Sequence, residues 1–139
     1  MSKVRRDRAR LYRRCVAQKQ GIERHFDCFL CRMPRSDELI CDGKMSPEED
    51  CDTYDIQIRY SPPGVPTVRI LSPKLVKSPK IHLYNNESLC LYFPDDDPWK
   101  STDLIYKKLI PWTAEWLLYY EIFLVIGDWQ GPEAPHSPP

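Results

Sequence analysis

A histidine and a cysteine lie eight residues apart in a polar stretch that leads into a short apolar segment. The stretch runs from His82 to Cys90 and passes through the turn-prone pair Asn85 and Asn86. A thiol is a nucleophile when its thiolate is stabilised and when hydrogen-bond donors meet the attacked carbonyl oxygen. His82 and the two asparagines carry such donors, so the pattern fits acyl transfer at Cys90. It also fits a simpler interpretation, in which Cys90 is a small buried hydrophobe and the asparagines form a turn.

Three consecutive aspartates, Asp95, Asp96 and Asp97, follow the cysteine segment. A lysine that attacks an acyl group must first lose a proton, and a nearby carboxylate can position or desolvate it. We therefore take Asp96 as the candidate acceptor-positioning residue, with Asn85 and Asn86 as candidate oxyanion donors. A solvated acidic loop before a helix is the alternative.

Composition indicates one globular domain without a dominant charge. The 139 residues are 42% hydrophobic and 29% charged, and the formal net charge is zero, so no overall field steers the chain to nucleic acid or membrane. Charge is nevertheless segregated. Residues 1–24 hold nine Lys or Arg against Asp7 and Glu23, whereas residues 37–55 hold eight acids against Lys44. Two oppositely charged surfaces are the expected result.

The cysteines and apolar runs bear on compartment and metal binding. The amino terminus lacks the apolar core of a signal peptide, and the longest apolar run, residues 116–126, is too short to span a bilayer. We expect a cytoplasmic protein with six reduced thiols. Zinc binding by Cys28, Cys31, Cys41 and Cys51 is disfavoured. Two apolar residues, Phe29 and Leu30, separate Cys28 from Cys31 where zinc-binding pairs usually have glycine or polar residues, and a strand would point these two cysteines to opposite faces. We predict no metal and no cofactor.

The first segment, residues 3–20, lacks proline and glycine and predicts an amphipathic helix that ends at Gly21. Its exposed side is rich in arginine, which suits a docking surface better than a nucleic-acid contact, since no recognised nucleic-acid motif follows. Four short runs rich in β-branched and aromatic residues come next and predict an antiparallel meander: residues 25–32, 38–41, 53–60 and 66–71. A proline-rich corner, residues 61–66, precedes the last strand.

Two helices are predicted after the cysteine loop. Ser101 or Thr102 is expected to cap a short helix through Leu109, and Pro111 to open a second helix that ends at Gly127. The apolar face of the second helix should cover the sheet, and consists of Trp112, Trp116, Tyr119 or Tyr120, Phe123 and Ile126. The domain would then span residues 1–128, followed by a proline-rich mobile tail, residues 129–139.

This order of elements, with two motifs, resembles the ubiquitin-conjugating-enzyme family. The corner in residues 60–68 is similar to the family's Tyr-Pro and Pro-Pro elements, and Leu89-Cys90-Leu91 is similar to its Ile-Cys-Leu tripeptide. The resemblance implies an α+β ubiquitin-conjugating-like fold: amino-terminal helix, four-stranded meander, active-site loop, carboxy-terminal helices. The family's His-Pro-Asn motif ends eight residues before its cysteine, where this chain has Lys80-Ile81-His82. His82 thus occupies the place of the asparagine that supports the oxyanion.

In His82 and in several other segments, the chain resembles one subgroup of the family, the short conjugating-enzyme-like proteins of bacterial anti-phage CBASS operons. The similar segments are Leu89-Cys90-Leu91-Tyr92, Trp99, Ile110-Pro111-Trp112 and Glu115-Trp116-Leu117. This resemblance implies that Cys90 forms a thioester with the carboxy terminus of a cGAS/DncV-like nucleotidyltransferase and passes it to an amine of a protein or small molecule, which primes signalling. A catalytically inert binding scaffold with the same fold is the alternative.

Overall fold

The computed structural model describes residues 2–91 and 97–132 and has an α+β architecture. Its elements are α1 (Lys3–His25), β1 (Phe29–Arg35), β2 (Glu38–Met45), β3 (Tyr54–Tyr60), β4 (Thr67–Ser72), a π-helical turn (Ile105–Leu109) and α2 (Ile110–Ile126). The four strands form one antiparallel sheet in the order β1-β2-β3-β4. This arrangement confirms the predicted fold class and meander.

Helix α1 packs on the sheet through its carboxy-terminal half, where Cys15, Gln18 and Ile22 are buried. The helix was expected to end at Gly21 but continues to His25. Gly21 lies so close to Tyr106 that a Cβ would come 2.9 Å from ring atom Cδ1, and Ile22 is fully buried directly after it. Packing of the last turn therefore outweighs the low helix propensity of glycine.

Strand β3 shows the alternation that its sequence predicts. Tyr54, Ile56, Ile58 and Tyr60 are all buried and belong to one hydrophobic core. The intervening residues are partly or fully exposed. One face of the sheet therefore carries the core, on which the helices pack.

The cysteines differ from the expectation of six free thiols. Cys31 and Cys41 oppose each other on β1 and β2 and are joined as a disulfide, while Cys15, Cys28, Cys51 and Cys90 are free. Facing positions on adjacent antiparallel strands bring two side chains together, a contact that the chain spacing alone did not reveal. Among residues 2–91 and 97–132, no group of three or more His, Cys, Asp or Glu is placed to hold a metal ion.

The predicted short helix capped by Ser101 or Thr102 is wrong in its start and its cap. The helical turn begins at Ile105, and no side chain of its own segment caps it. Gln18 of α1 supplies the partners instead. Its Nε2 donates to the Asp103 carbonyl at 2.7 Å, and its Oε1 accepts from the Ile105 amide at 2.9 Å.

Helix α2 continues from this turn without a break and confirms the predicted start near Pro111 and end at Gly127, which is left-handed at φ 80°. Its buried residues include Trp116, Tyr120 and Phe123, and the Tyr120 ring meets Tyr54 of the sheet edge-on at 6.3 Å. Ile126, expected on the same face, is exposed.

Together the π-helical turn and α2 form a helical stretch, Ile105–Ile126, that is long and apolar enough to cross a membrane by length and composition. Core helices of globular proteins meet the same description. Ile105, Leu109 and Leu117 of this stretch are fully buried in the core.

We predict that Gln18→Leu lowers the free energy of unfolding by about 2–4 kcal/mol, because it leaves the Asp103 carbonyl and the Ile105 amide without their partner. Gln20→Leu, at an exposed position on the same helix, is the matched control and should change the free energy of unfolding by less than about 0.5 kcal/mol. Urea denaturation followed by circular dichroism measures both. Equal effects at the two positions would contradict the capping role of Gln18.

Candidate active site

The segment from His82 to Cys90 folds as a tight β-hairpin. The Cys90 amide donates to the His82 carbonyl at 2.9 Å, the Tyr84 amide donates to the Ser88 carbonyl at 2.9 Å, and Leu83 pairs with Leu89. In this register His82 and Cys90 stand directly opposite each other. Facing residues of an antiparallel pair project to the same side, with Cβ atoms roughly 4.5–5.5 Å apart. The hairpin therefore brings together the two residues that the sequence singled out.

The asparagine pair forms the turn of this hairpin. The Glu87 amide donates to the Tyr84 carbonyl at 2.8 Å, and Glu87 is left-handed at φ 68°, which is the geometry of a three-residue hairpin loop. Asn86 Oδ1 accepts from both the amide and the hydroxyl of Ser88, at 3.0 and 2.6 Å. Asn85 and Asn86 are both exposed at the tip of the hairpin.

The hairpin is fastened to strand β4. The Leu89 amide donates to the Val68 carbonyl at 2.8 Å, and the Arg69 guanidinium donates to the Asn86 carbonyl at 2.7 Å. Val68 is fully buried, so the attachment point belongs to the core. The position of Cys90 is consequently set by the sheet.

Of the three aspartates after the cysteine, only Asp97 falls in the described part of the chain. Its carboxylate lies 2.8 Å from Lys108 Nζ, which also contacts Asp103 at 3.1 Å. Asp96, the candidate acceptor-positioning residue, lies outside the described residues, as does Asp95.

Cys90 borders a cavity of about 100 Å³ between the hairpin and α2. The cavity is lined by Cys90, Leu91, Trp112, Glu115, Trp116, Tyr119, Trp129 and Pro132. Residues 112, 115, 116 and 119 recur at three to four positions and so share one face of α2. This face was expected to cover the sheet. The same spacing could have indicated a face shared between the core and a site.

A short segment after α2, which we call the strap (residues 128–132), covers this cavity. The Trp129 ring lies 5.3 Å from the His82 ring, 5.3 Å from Trp116 and 6.1 Å from Tyr119, measured between centroids. The Trp129 Nε1 donates to the Pro132 carbonyl at 3.2 Å. The first residue of the segment expected to be a tail therefore packs on the domain.

Two further contacts hold the strap. Lys80 Nζ, two residues before His82, donates to the Gly127 carbonyl at 3.1 Å and to the Asp128 carboxylate at 3.0 Å. Gly131 lies against Tyr119 so closely that a Cβ would come 2.5 Å from a ring atom. The path of the strap at this point therefore requires glycine.

The covered site keeps the thiol neutral. Cys90 is 2% exposed and His82 is 5% exposed. Burial raises the pKa of the Cys90 thiol to about 11, because a thiolate loses its hydration there. An ordinary thiol is already mostly protonated at neutral pH, and the raised pKa of the buried Cys90 makes the nucleophilic thiolate about 100-fold scarcer still.

A family model described as type II CBASS E2 protein matches residues 18–137. The chain belongs to this family. The match includes the sheet, the hairpin with Cys90, and the described strap, and it confirms the family resemblance inferred from the sequence. As a CBASS E2 protein the chain has an E2-like fold and a role in CBASS antiphage defence. None of the curated proteins matches the chain.

We predict that Trp129→Ala lowers the pKa of Cys90 toward its ordinary value of 9.0, because removal of the indole lets water reach the thiol. In the wild type, alkylation of Cys90 by iodoacetamide should rise about tenfold per pH unit up to about pH 11, as the thiolate fraction does. The variant profile should reach its plateau at lower pH. Mass spectrometry of the Cys90 peptide measures the rates.

Cys15 is the internal control, because burial raises the pKa of its thiol to about 11 as well and it does not border the cavity. Its profile should be the same in both proteins. A Cys90 profile that is unchanged by Trp129→Ala would show that the strap does not control the thiol.

Proposed function

We propose that this CBASS E2 protein is a ubiquitin-conjugating-like acyl carrier in which Cys90 forms a thioester with the carboxy terminus of a cGAS-like nucleotidyltransferase. The observation that supports this proposal best is the hairpin register, which sets His82 opposite Cys90, a residue that lines the cavity. A nucleophile and a proton-transferring side chain are the minimum that acyl transfer through a thiol requires.

In the first step, Cys90 attacks the carbonyl carbon of an activated carboxy terminus. A carbon–sulfur bond forms, the bond to the activating group breaks, and that group leaves with the bonding electron pair. The proton of the thiol passes to His82 or to water. His82 suits this task because imidazole accepts protons near neutral pH, where the buried thiol is otherwise protonated.

In the second step, an amine attacks the thioester. A carbon–nitrogen bond forms, the bond to Cys90 breaks, and the amine gives up a proton to a base while Cys90 leaves as thiolate. Asp96 remains our candidate for positioning the amine. Asn85 and Asn86 remain candidate oxyanion donors through their Nδ2 groups, although both are exposed at the tip of the hairpin.

Access to Cys90 requires the strap to move. A cavity of about 100 Å³ accepts a few heavy atoms, whereas a peptide carboxy terminus brings a chain with it. We infer that binding of the donor displaces Trp129, which both admits the acyl group and hydrates the thiol. The exposed Lys80–Asp128 ion pair is a weak restraint of this motion, since surface pairs contribute only about 0–1 kcal/mol.

The remaining parts of the proposal concern partners and compartment. The donor is the nucleotidyltransferase, the acceptor is a protein or a small amine, and the reaction takes place in the bacterial cytoplasm. Membership of the CBASS E2 family supports these assignments, because it places the chain among CBASS components.

An inert binding scaffold is the second candidate function. The burial of Cys90 and the raised pKa of its thiol favour it, because a scaffold needs no accessible nucleophile. The two functions differ in whether a covalent bond forms at Cys90.

We predict that co-expression with the neighbouring CBASS proteins gives an adduct of the wild type that a thiol reducing agent cleaves by exchange. Cys90→Ser and Cys90→Lys should trap the same acyl group as an oxygen ester and an amide, since thiols cleave neither readily. Intact-mass analysis detects all three. Cys28→Ser, which removes an exposed free thiol, is the control and should leave the adduct unchanged. An adduct that persists in Cys90→Ala would refute the assignment.

We predict that His82→Ala slows acyl transfer by about 10²-fold, the usual contribution of a general acid–base group, with a smaller effect on folding. His82→Asn restores the donor that the wider family uses but cannot act as a base near neutral pH. Single-turnover rates and melting temperatures separate the roles. Recovery of the rate in His82→Asn assigns a donor role. A rate loss matched by an equal loss of folded protein would mean that His82 is structural.

A further inference from the structure

Within the described part of the chain, the indole N–H of Trp116 is a buried donor without an acceptor. Trp116 is 4% exposed, and its Nε1 has no hydrogen-bond partner among residues 2–91 and 97–132. The neighbouring indole of Trp129 donates to a carbonyl. A buried unpaired donor typically costs about 1–3 kcal/mol, so such a group calls for a functional explanation.

Trp116 shares the cavity with Cys90. Both residues line the same space of about 100 Å³, well above the roughly 10–15 Å³ that one water needs. The space therefore has room for a carbonyl group bound to the Cys90 sulfur. The Nε1 atom itself has almost no accessible surface while the strap is closed, so the displacement of Trp129 inferred above must also uncover this N–H.

The Trp116 ring is also held in place. It stacks on Tyr120 at 5.7 Å with an interplanar angle of 11°, and it contacts Trp129 at 5.3 Å. A donor fixed before the reaction stabilises developing charge better than one that must reorient. An indole N–H is a donor at every physiological pH, whereas each imidazole nitrogen can be a donor or an acceptor depending on the tautomer.

We propose that the oxyanion donor of this site is Trp116 Nε1, in place of the candidates Asn85 and Asn86, and that it binds the carbonyl oxygen of the acyl group carried by Cys90. The inference rests on the proposed function. When a thiolate or an amine adds to the carbonyl carbon, the π electron pair moves to the oxygen, and the indole N–H stabilises that negative charge. The pair returns as the leaving group departs. Trp116 thus supplies what the wider family obtains from asparagine, and His82 is left to move protons.

The test replaces Trp116 by β-(3-benzothienyl)alanine, which keeps the bicyclic shape and carries sulfur in place of the N–H. Trp99, which packs on Tyr60 and does not border the cavity, receives the same replacement as the matched control. Each protein is treated with a short peptide ending in a glycine thioester, and acylation of Cys90 is followed by intact mass. Alkylation by iodoacetamide is measured in parallel, because displacement of iodide builds no charge on a carbonyl oxygen.

We expect the Trp116 replacement to slow acylation by about 10²- to 10³-fold, the effect of losing one oxyanion donor, without a comparable change in alkylation. The Trp99 replacement should change neither rate. Unchanged acylation, or acylation and alkylation reduced equally, would overturn the role of Trp116 while the proposed function stands. If the wild-type protein takes up no more acyl group than Cys90→Ala does, both the role of Trp116 and the proposed function are overturned.

Discussion

The hydrogen bond from the Cys90 amide to the His82 carbonyl is the interaction on which the site depends. It fixes the hairpin register, and a shift of one residue would send Cys90 and His82 to opposite sides. The register is held from outside the hairpin as well, because the Leu89 amide bonds to the buried strand β4. Gln18 acts similarly on the other wall of the site, since its two bonds set where the helix carrying Trp112, Glu115 and Trp116 begins. The sheet and α1 thus place the two walls.

Burial and reactivity oppose each other at Cys90. The aromatic cluster that gives the cavity its shape also excludes water and keeps the thiol protonated. A thiol that is inert until its donor binds would suit the acyl carrier proposed above, because electrophiles and oxidants attack thiolates. The strap links the buried, unreactive state of the thiol to the exposed, reactive one, since Trp129 touches both His82 and Trp116. Displacing the Trp129 side chain would therefore change the surroundings of Cys90, His82 and Trp116.

Local signals in the sequence predicted the parts of the fold that depend on local physics. The alternation in β3, the proline at the start of α2 and Gly127 at its end each act within a few residues, and all were predicted correctly. The continuation of α1 through Gly21, the capping of the helical turn by Gln18 and the Cys31–Cys41 pair depend on partners distant in sequence, and these were missed. The cavity was missed for the same reason. Its lining combines a hairpin, a helix face and a segment whose prolines indicated a tail, so that Trp129 had no local signal for packing on His82.

The central claim is that the sulfur of Cys90 carries the acyl group during antiphage defence. Its most direct test is tandem mass spectrometry on the protein isolated, without reducing agent, from bacteria that carry the complete CBASS operon. The account predicts that the acyl group maps to the peptide containing Cys90 and disappears after treatment with hydroxylamine, as a thioester does. Modification that maps to another residue, such as Cys28 or a lysine, would contradict it.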